Sequence, residues 1–340
     1  MKIQKIQLSA LGRKLPDPIN LFICSSSFEP RCHSVPTALR NSNIGSVLIL
    51  EALDLKQYTE KAAERMRAQF SKSSKIVGVS TRDPLLTADN LGKAFLTALR
   101  QIRPRTILID ITTFTHEIML ILLVLIRIHR SLLDGVKLTL TYSGASEYSI
   151  GDNLKNKWLS KGVRTVRSVL GFPGDSIPTK KTHLIILVGY EYERAEKLIE
   201  VIEPNTISLG FGRSSTATTE KDKGANAHYH LLLSRMAASY AAVESFEIFC
   251  NNPVQTRDAI LEIVDAHQDS NVLLAPMNNK MSTLGAALAA FQCEKIQVCY
   301  APVLEYNFFH YASPGKTCYV VELPELLAEK PTLSVPTVSP

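Results

Sequence analysis

The chain has 340 residues, of which 45% are hydrophobic and 21% charged, with a formal net charge of +6. This composition excludes a disordered or fibrous protein, and the length allows two domains with full cores. So modest an excess of positive charge permits an anionic ligand without demanding a nucleic acid.

Residues 19–27 read as a buried strand that ends in a serine cluster, followed by a helix from Ser34 to Arg40. Strands at 45–50, 76–80, 106–111 and 136–143 then alternate with helices at 56–70, 88–101 and 115–130. Residues 151–181 break this rhythm with two prolines and several basic residues, and the connection between two lobes is placed there. The rhythm restarts with strands at 183–189, 206–212, 246–251, 271–276 and 295–301. Helices follow Tyr190 and span 228–242, 254–267 and 280–291, and residues 213–227 read as an exposed loop. An edge strand at 318–323 closes the second half, and the proline-rich tail is expected to fray. Continuous apolar strands alternating with helices predict parallel sheets covered on both faces. The expected fold class is α/β, with two tandem Rossmann-like lobes at 1–178 and 179–324 and a tail at 325–340.

None of the six cysteines forms a CxxC pair. They read as reduced thiols in a cytoplasmic protein, with no zinc site. The N-terminus lacks the apolar stretch of a signal peptide. The longest apolar run, Ile118 to Ile126, falls short of the roughly 20 residues a bilayer requires, so no membrane association is expected. His228 and His230 have no carboxylate or third histidine at ligand spacing, and neither metal nor cofactor is expected.

The two halves carry matching landmarks in the same order. Phe28 aligns with Tyr190 (190 − 28 = 162), His116 with Lys280 (280 − 116 = 164), and Tyr142 with Tyr300 (300 − 142 = 158). The last pair begins a shared Y-x4-E-Y pattern that ends at Glu147-Tyr148 and Glu305-Tyr306. An internal duplication predicts a pseudo-twofold pair of lobes. Because ligands of open α/β sheets bind beyond the carboxyl ends of the strands, two half-sites would then share one cleft.

Candidate ligand-binding residues sit at those strand ends. The turn from Asp110 through Thr112 and Thr115 to His116 opens a helix whose electropositive N-terminus suits an anion, and His116 adds an imidazole. Ser26, Ser27 and Arg31 follow the first strand, where hydroxyls and a forked guanidinium suit phosphate. Lys280 holds the equivalent of His116, and Tyr148 and Tyr306 offer rings for stacking or for closing the core. Gly210-Phe211-Gly212-Arg213-Ser214-Ser215 lacks the third glycine of a dinucleotide fingerprint and reads as a flexible loop.

The turn at Asp110 resembles the strand, D-x-T-G-G-T-K turn and helix of the CARF family, Rossmann-like sensors of cyclic oligoadenylates in prokaryotic immunity. Asp110, Thr112 and Thr115 match its Asp and two Thr positions. Thr113 and Phe114 replace its glycines, where a phenylalanine obstructs close backbone approach, and His116 replaces its lysine. Two such lobes in one chain resemble the SAVED arrangement. The resemblance implies a regulatory protein that binds a nucleotide or cyclic oligonucleotide in the inter-lobe cleft and hands its output to a separate effector partner in antiviral defence. Two alternatives stay open. One is a metal-independent phosphodiester-cleaving enzyme using Thr112, Thr115, His116 and Lys280. The other is a non-catalytic subunit of a defence complex, with 151–181 and 213–227 as docking loops. Homo-oligomerisation also stays open.

Overall fold

The computed structural model describes residues 1–70, 73–150, 158–219 and 225–324. The first run of elements is β1 (Lys2–Gln7), β2 (Ile19–Ser25), α1 (Ser34–Ala38), β3 (Ile44–Ala52), α2 (Lys56–Phe70), β4 (Ser74–Val79), α3 (Pro84–Ile102), β5 (Thr106–Asp110), α4 (His116–Ile128) and β6 (Lys137–Tyr148). Strands β7 (Ser160–Val163) and β8 (Arg167–Pro173) lie between the runs. The second run is β9 (Lys181–Leu187), α5 (Tyr192–Ile202), β10 (Thr206–Gly212), α6 (Ala225–Ala237), β11 (Ala242–Ile248), α7 (Pro253–Ala266), β12 (Ser270–Pro276), α8 (Lys280–Gln292), β13 (Ile296–Tyr300), β14 (Val303–Tyr306) and β15 (Ala312–Glu322).

The fold is α/β with two largely parallel sheets. In the first, the strand order β4-β3-β2-β5-β6 reverses direction between β2 and β5; in the second, β11-β10-β9-β12-β13 reverses between β9 and β12. Both are the doubly wound order in which ligands bind at the reversal point. The helices start where the sequence supplies caps. Asp83, Thr115, Asn252 and Asn279 each accept a backbone N–H from the first turn of the helix they precede.

One hydrophobic core runs through both lobes. It includes Leu21, Leu50 and Ile109 from the first sheet, Ile185, Leu274 and Val298 from the second, and most of α4 and α8. The outer faces carry their own clusters, under α1 and α2 on the first sheet and under α5 and α6 on the second. Helix α8 is buried almost throughout and is rich in small residues. A Cβ at Gly285 would come 2.8 Å from the Pro253 carbonyl oxygen, so glycine lets α7 and α8 close on each other.

The sixth strands are exchanged. After β6 the chain passes through β7 into β8, which pairs antiparallel with β13 at the edge of the second sheet. After β13 it passes through β14 into β15, which pairs antiparallel with β6 in the first sheet. The two crossing segments meet as the antiparallel pair β7–β14.

This arrangement corrects two expectations and adds one strand. Residues 151–181 contain two strands where an irregular connection was predicted; 151–157 lie outside the described residues. The strand expected at 318–323 begins at Ala312 and lies inside the first sheet, between β6 and β1, rather than at an edge of the second. The N-terminal KIQKIQ segment, not recognised as structured, is an outer strand on β15. Its isoleucines are three residues apart, so Ile3 packs against the core on one face of the sheet and Ile6 against the cluster on the other. The expected division near residue 178 separates the two parallel runs, while β8 and β15 each cross it.

Each lobe thus depends on a strand from the other half of the chain. Residues 1–178 and 179–340 expressed separately are expected to aggregate, and co-expression is expected to recover a soluble complex. The intact chain should unfold in one calorimetric transition. A monomeric, cooperatively unfolding 179–340 fragment would contradict this dependence.

Candidate functional site

The carboxyl ends of the two parallel sheets face each other. At the first reversal point the serine cluster after β2 meets the turn after β5, where the Ser25 and Thr113 hydroxyls are 2.8 Å apart. Ser27 Oγ accepts the Glu29 N–H at 3.1 Å. At the second reversal point the backbone is drawn tighter. A Cβ on Gly189 would lie 1.9 Å from the Met277 carbonyl oxygen, a closeness only glycine permits. Carboxamides replace hydroxyls there. Asn278 donates to the Val188 carbonyl and to Asn226, and Asn279 donates to Thr218 Oγ1 and the Cys250 carbonyl.

Each lobe also contributes a buried cation. Arg31 pairs with Glu29 at 2.6 Å, donates to the Ser143 carbonyl at 3.3 Å, and lies 5.3 Å from the centre of the Tyr148 ring. Arg194 pairs with Glu191, donates to the Ala301 carbonyl at 2.9 Å, and lies 5.4 Å from the centre of the Tyr300 ring. The partners correspond across the repeat: 191 − 29 = 162, 194 − 31 = 163 and 301 − 143 = 158. The ion pair and the bond to a strand-end carbonyl therefore recur in both lobes, and each arginine holds the end of its own lobe's fifth parallel strand.

Two adjoining cavities result, of about 80 and 90 Å³. The first lies over the strand ends of the second lobe and is walled by Arg31, Tyr142 and Tyr148 of the first lobe. The second lies over the strand ends of the first lobe and is walled by Arg194, Tyr300 and Tyr306 of the second lobe. Each half-site is thus completed by the opposite lobe. Glu29, His116, Glu191, Lys280 and Tyr311 line both. A wider groove of about 470 Å³ shares Glu29 and Tyr311 with both cavities and is lined by Phe28, Tyr148, Phe308 and Phe309.

At the shared wall the N-termini of α4 and α8 meet, with His116 Nδ1 2.5 Å from Thr283 Oγ1. Burial pulls the Lys280 ammonium down to about 8, with Arg31 and Arg194 adding to the effect and Glu29 and Glu191 opposing it. Burial, followed by the charges of Lys280 and Arg194, holds His116 well below the usual imidazole range, so it is neutral. Both carboxylates are committed to arginines. Three cations face two anions, and among the described residues the Lys280 ammonium has neither a hydrogen bond nor an ion pair. Cys250, at the first cavity, is an inert thiol that burial pushes up to about 11.

Of the residues singled out from the sequence, Arg31, Thr112 and Tyr148 line the first cavity, Ser26, Ser27, Thr115 and Tyr306 the second, and His116 and Lys280 both. Asp110 lines neither. It is 3% exposed beneath the turn, where it accepts from the Thr112 N–H at 3.2 Å and from the Thr112 hydroxyl at 2.5 Å. Its part is to shape the turn. Phe114, 2% exposed, instead forms part of the floor of the second cavity. Tyr311 had no signal in the sequence. It sits between Tyr148 and Tyr306, at 6.4 and 6.3 Å from their ring centres. The glycine-rich segment is not a flexible loop: Gly210 to Gly212 pair with β11 as the end of β10, a helical turn follows at Ser214–Thr216, and Arg213 is paired with Glu247 on the surface.

A second polar cluster lies at the opposite end of the second sheet, where His183, Glu244 and His267 bring ligand-type atoms within 4.8 Å of one another. The two imidazoles stack, with centroids 3.6 Å apart and planes 13° from parallel. Nearly parallel rings cannot both aim an in-plane lone pair at one ion. Both His183 nitrogens are occupied, by Thr206 at 2.7 Å and Ser208 at 2.9 Å. The cluster is a hydrogen-bonded clasp across β9, β10 and β11.

The turn that carries His116 is anchored from below. Glu117, 2% exposed, takes both arms of Arg167 at 2.9 and 2.7 Å, and Arg167 also donates to the Arg82 carbonyl at 2.8 Å. Arg167→Ala would leave a buried carboxylate unpaired and should cost about 3–5 kcal/mol in a urea titration. The double variant Arg167→Met with Glu117→Gln should recover most of that loss. Asp110 supplies a pH-dependent contribution. Burial lifts its carboxyl to about 7, against hydrogen bonds from Thr112 and Thr141. Between the ordinary 3.8 and about 7 the folded state binds the proton more tightly, so this contribution to stability falls as pH rises through that window. Asp110→Asn should remove the fall, measured as the difference in unfolding free energy between variant and native protein from pH 4 to 8.

The chain matches no protein-family model, and no curated protein matches it.

Proposed function

We propose that the protein is a receptor for a nucleotide-type anion, held with its phosphate at the shared wall of the two cavities and its base in the aromatic groove outside. The observation that carries this reading is the Lys280 ammonium. It faces both cavities, has no ion pair among the described residues, and lies beside two carboxylates already taken by arginines. A half-buried cation in that position is stabilised by an anionic guest. The N-termini of α4 and α8 add their dipoles in the same direction, and both reversal points open into the cavities. Inner cavities of about 80 and 90 Å³ suit phosphate groups, whereas the outer groove, with Phe28, Tyr148, Phe308 and Phe309, offers faces on which bases stack.

The near-twofold repetition of the clamps favours a ligand of two or more linked nucleotides, including cyclic oligonucleotides of the kind taken by the CARF and SAVED sensors. Recognition is favoured over turnover because the Thr283 hydroxyl beside His116 donates to the Asn279 carbonyl at 2.9 Å and is not poised as a nucleophile. A regulatory role, with output through a partner protein in antiviral defence, belongs to the same reading. Among the described residues no helix is long and apolar enough to cross a membrane.

Calorimetric titration with linear and cyclic dinucleotides tests the proposal. Lys280→Gln removes a charge-assisted contact and should weaken binding about tenfold to a hundredfold. Native affinity should be highest below about pH 8 and fall as Lys280 loses its proton above that value, by up to about tenfold per pH unit, whereas the variant should show no such fall. If no linear or cyclic nucleotide binds or stabilises the protein, the reading is wrong.

A further inference from the structure

Five side chains line both cavities: Glu29, His116, Glu191, Lys280 and Tyr311. The two carboxylates are held by Arg31 and Arg194, and the Lys280 ammonium only donates. His116 is the group whose hydrogen-bonding character the surroundings decide. Thr283 Oγ1 lies 2.5 Å from His116 Nδ1 and 2.9 Å from the Asn279 carbonyl oxygen. A hydroxyl has one hydrogen. If that hydrogen goes to the carbonyl, the imidazole donates from Nδ1 and both contacts are hydrogen bonds. If it goes to Nδ1, one of the two is lost and a proton on Nε2 is left facing the cations. The first arrangement satisfies more groups, and the positive charges of Lys280 and Arg194 beside the ring favour a bare nitrogen. His116 Nε2 is therefore a lone-pair acceptor. Among the described residues nothing donates to it, and His116 lines both cavities.

An anionic ligand that fills this wall with acceptors alone leaves that nitrogen unpaired. A ligand with a hydroxyl next to its phosphate does not. We propose that His116 is the specificity-determining residue of the site, accepting a hydrogen bond from a sugar hydroxyl adjacent to the ligand's phosphate, so that ribonucleotide ligands are taken in preference to their 2′-deoxy counterparts. The inference rests on the nucleotide reading above and adds to it a demand for a donor on the ligand. Thr283 is a positioning residue. It touches no ligand and acts by fixing which imidazole nitrogen carries the proton.

The test compares the linear diribonucleotide ApA with its 2′-deoxy counterpart by calorimetric titration at one pH and salt concentration, using native protein, His116→Leu, His116→Gln and Thr283→Val. Unfolding temperatures serve as the check that each variant is folded. The expected result is a ribo-to-deoxy affinity ratio of about ten or more for native protein, since an unpaired buried acceptor is costly. The ratio should fall to about one in His116→Leu, recover in part in His116→Gln, whose side-chain carbonyl can accept, and shrink in Thr283→Val although the imidazole is retained. Equal binding of both dinucleotides by native protein overturns the role of His116 and leaves the nucleotide reading intact. A native preference that survives in a folded His116→Leu also overturns it. Binding of neither dinucleotide, nor of any cyclic one, sinks the nucleotide reading and this inference together.

Discussion

A lysine ammonium can be drawn out of bulk water only if something answers its charge, and the environment of half-buried Lys280 is organised around that demand. Two carboxylates lie close by, yet each is held by an arginine of its own lobe. Glu29 and Glu191 therefore moderate the field at Lys280 without cancelling it. Adding a third carboxylate would have made the centre self-sufficient, with no place for a guest. Leaving out both would have made the cost of folding around three cations prohibitive. The observed balance keeps the lysine half-buried and its charge incompletely answered.

Around this centre the repeat provides likeness and difference at once. The arginines, their glutamates and the strand-end carbonyls they hold recur in both lobes, which fixes the geometry of the walls. The floors diverge. The first lobe supplies hydroxyls from Ser25 to Ser27 and Thr113 to Thr115, and the second supplies a close-drawn backbone at Gly189 and carboxamides already engaged with one another. His116 and Lys280 occupy equivalent positions with opposite hydrogen-bonding character, one a bare acceptor and the other a donor. A guest lying across the centre would meet similar walls and dissimilar floors.

Most of the parallel strands were legible because they are continuous apolar runs closed by a polar turn, and the Y-x4-E-Y pattern pointed to the repeat. The exception is β11, whose AVESFEI mixes charged and apolar residues and begins at Ala242, ahead of the strand expected at 246–251. Nine residues selected from strand ends line the two cavities, since strand ends are where this topology leaves polar side chains facing a cleft. What could not be read was nonlocal. Nothing in residues 167–173 or 312–322 announces that the strands will leave the lobe whose chain leads into them, because pairing is decided by an edge formed elsewhere. The clasp of His183, Glu244 and His267 joins residues 61 and 23 positions apart (244 − 183; 267 − 244), and the Glu117–Arg167 pair spans 50. Asp110 drew attention as a strand-end carboxylate, but its position two residues before Thr112 gave it a local partner that pulled it beneath the surface.

The exchange of β8 and β15 also limits how the molecule can move. In many two-lobed proteins a cleft opens like a pair of jaws about one flexible joint. Here such a swing would peel β8 from β13 and β15 from β6, breaking ladder bonds in both sheets at once. Displacement of the walls is thereby confined to a short slide along those strands, a shear rather than a gape. The segments that carry it past the axis are β7 and β14, and β14 presents Leu304 to solvent at 55% exposure. Tension generated at the clamps would reach the outer surface there, through a stiff linkage with little travel.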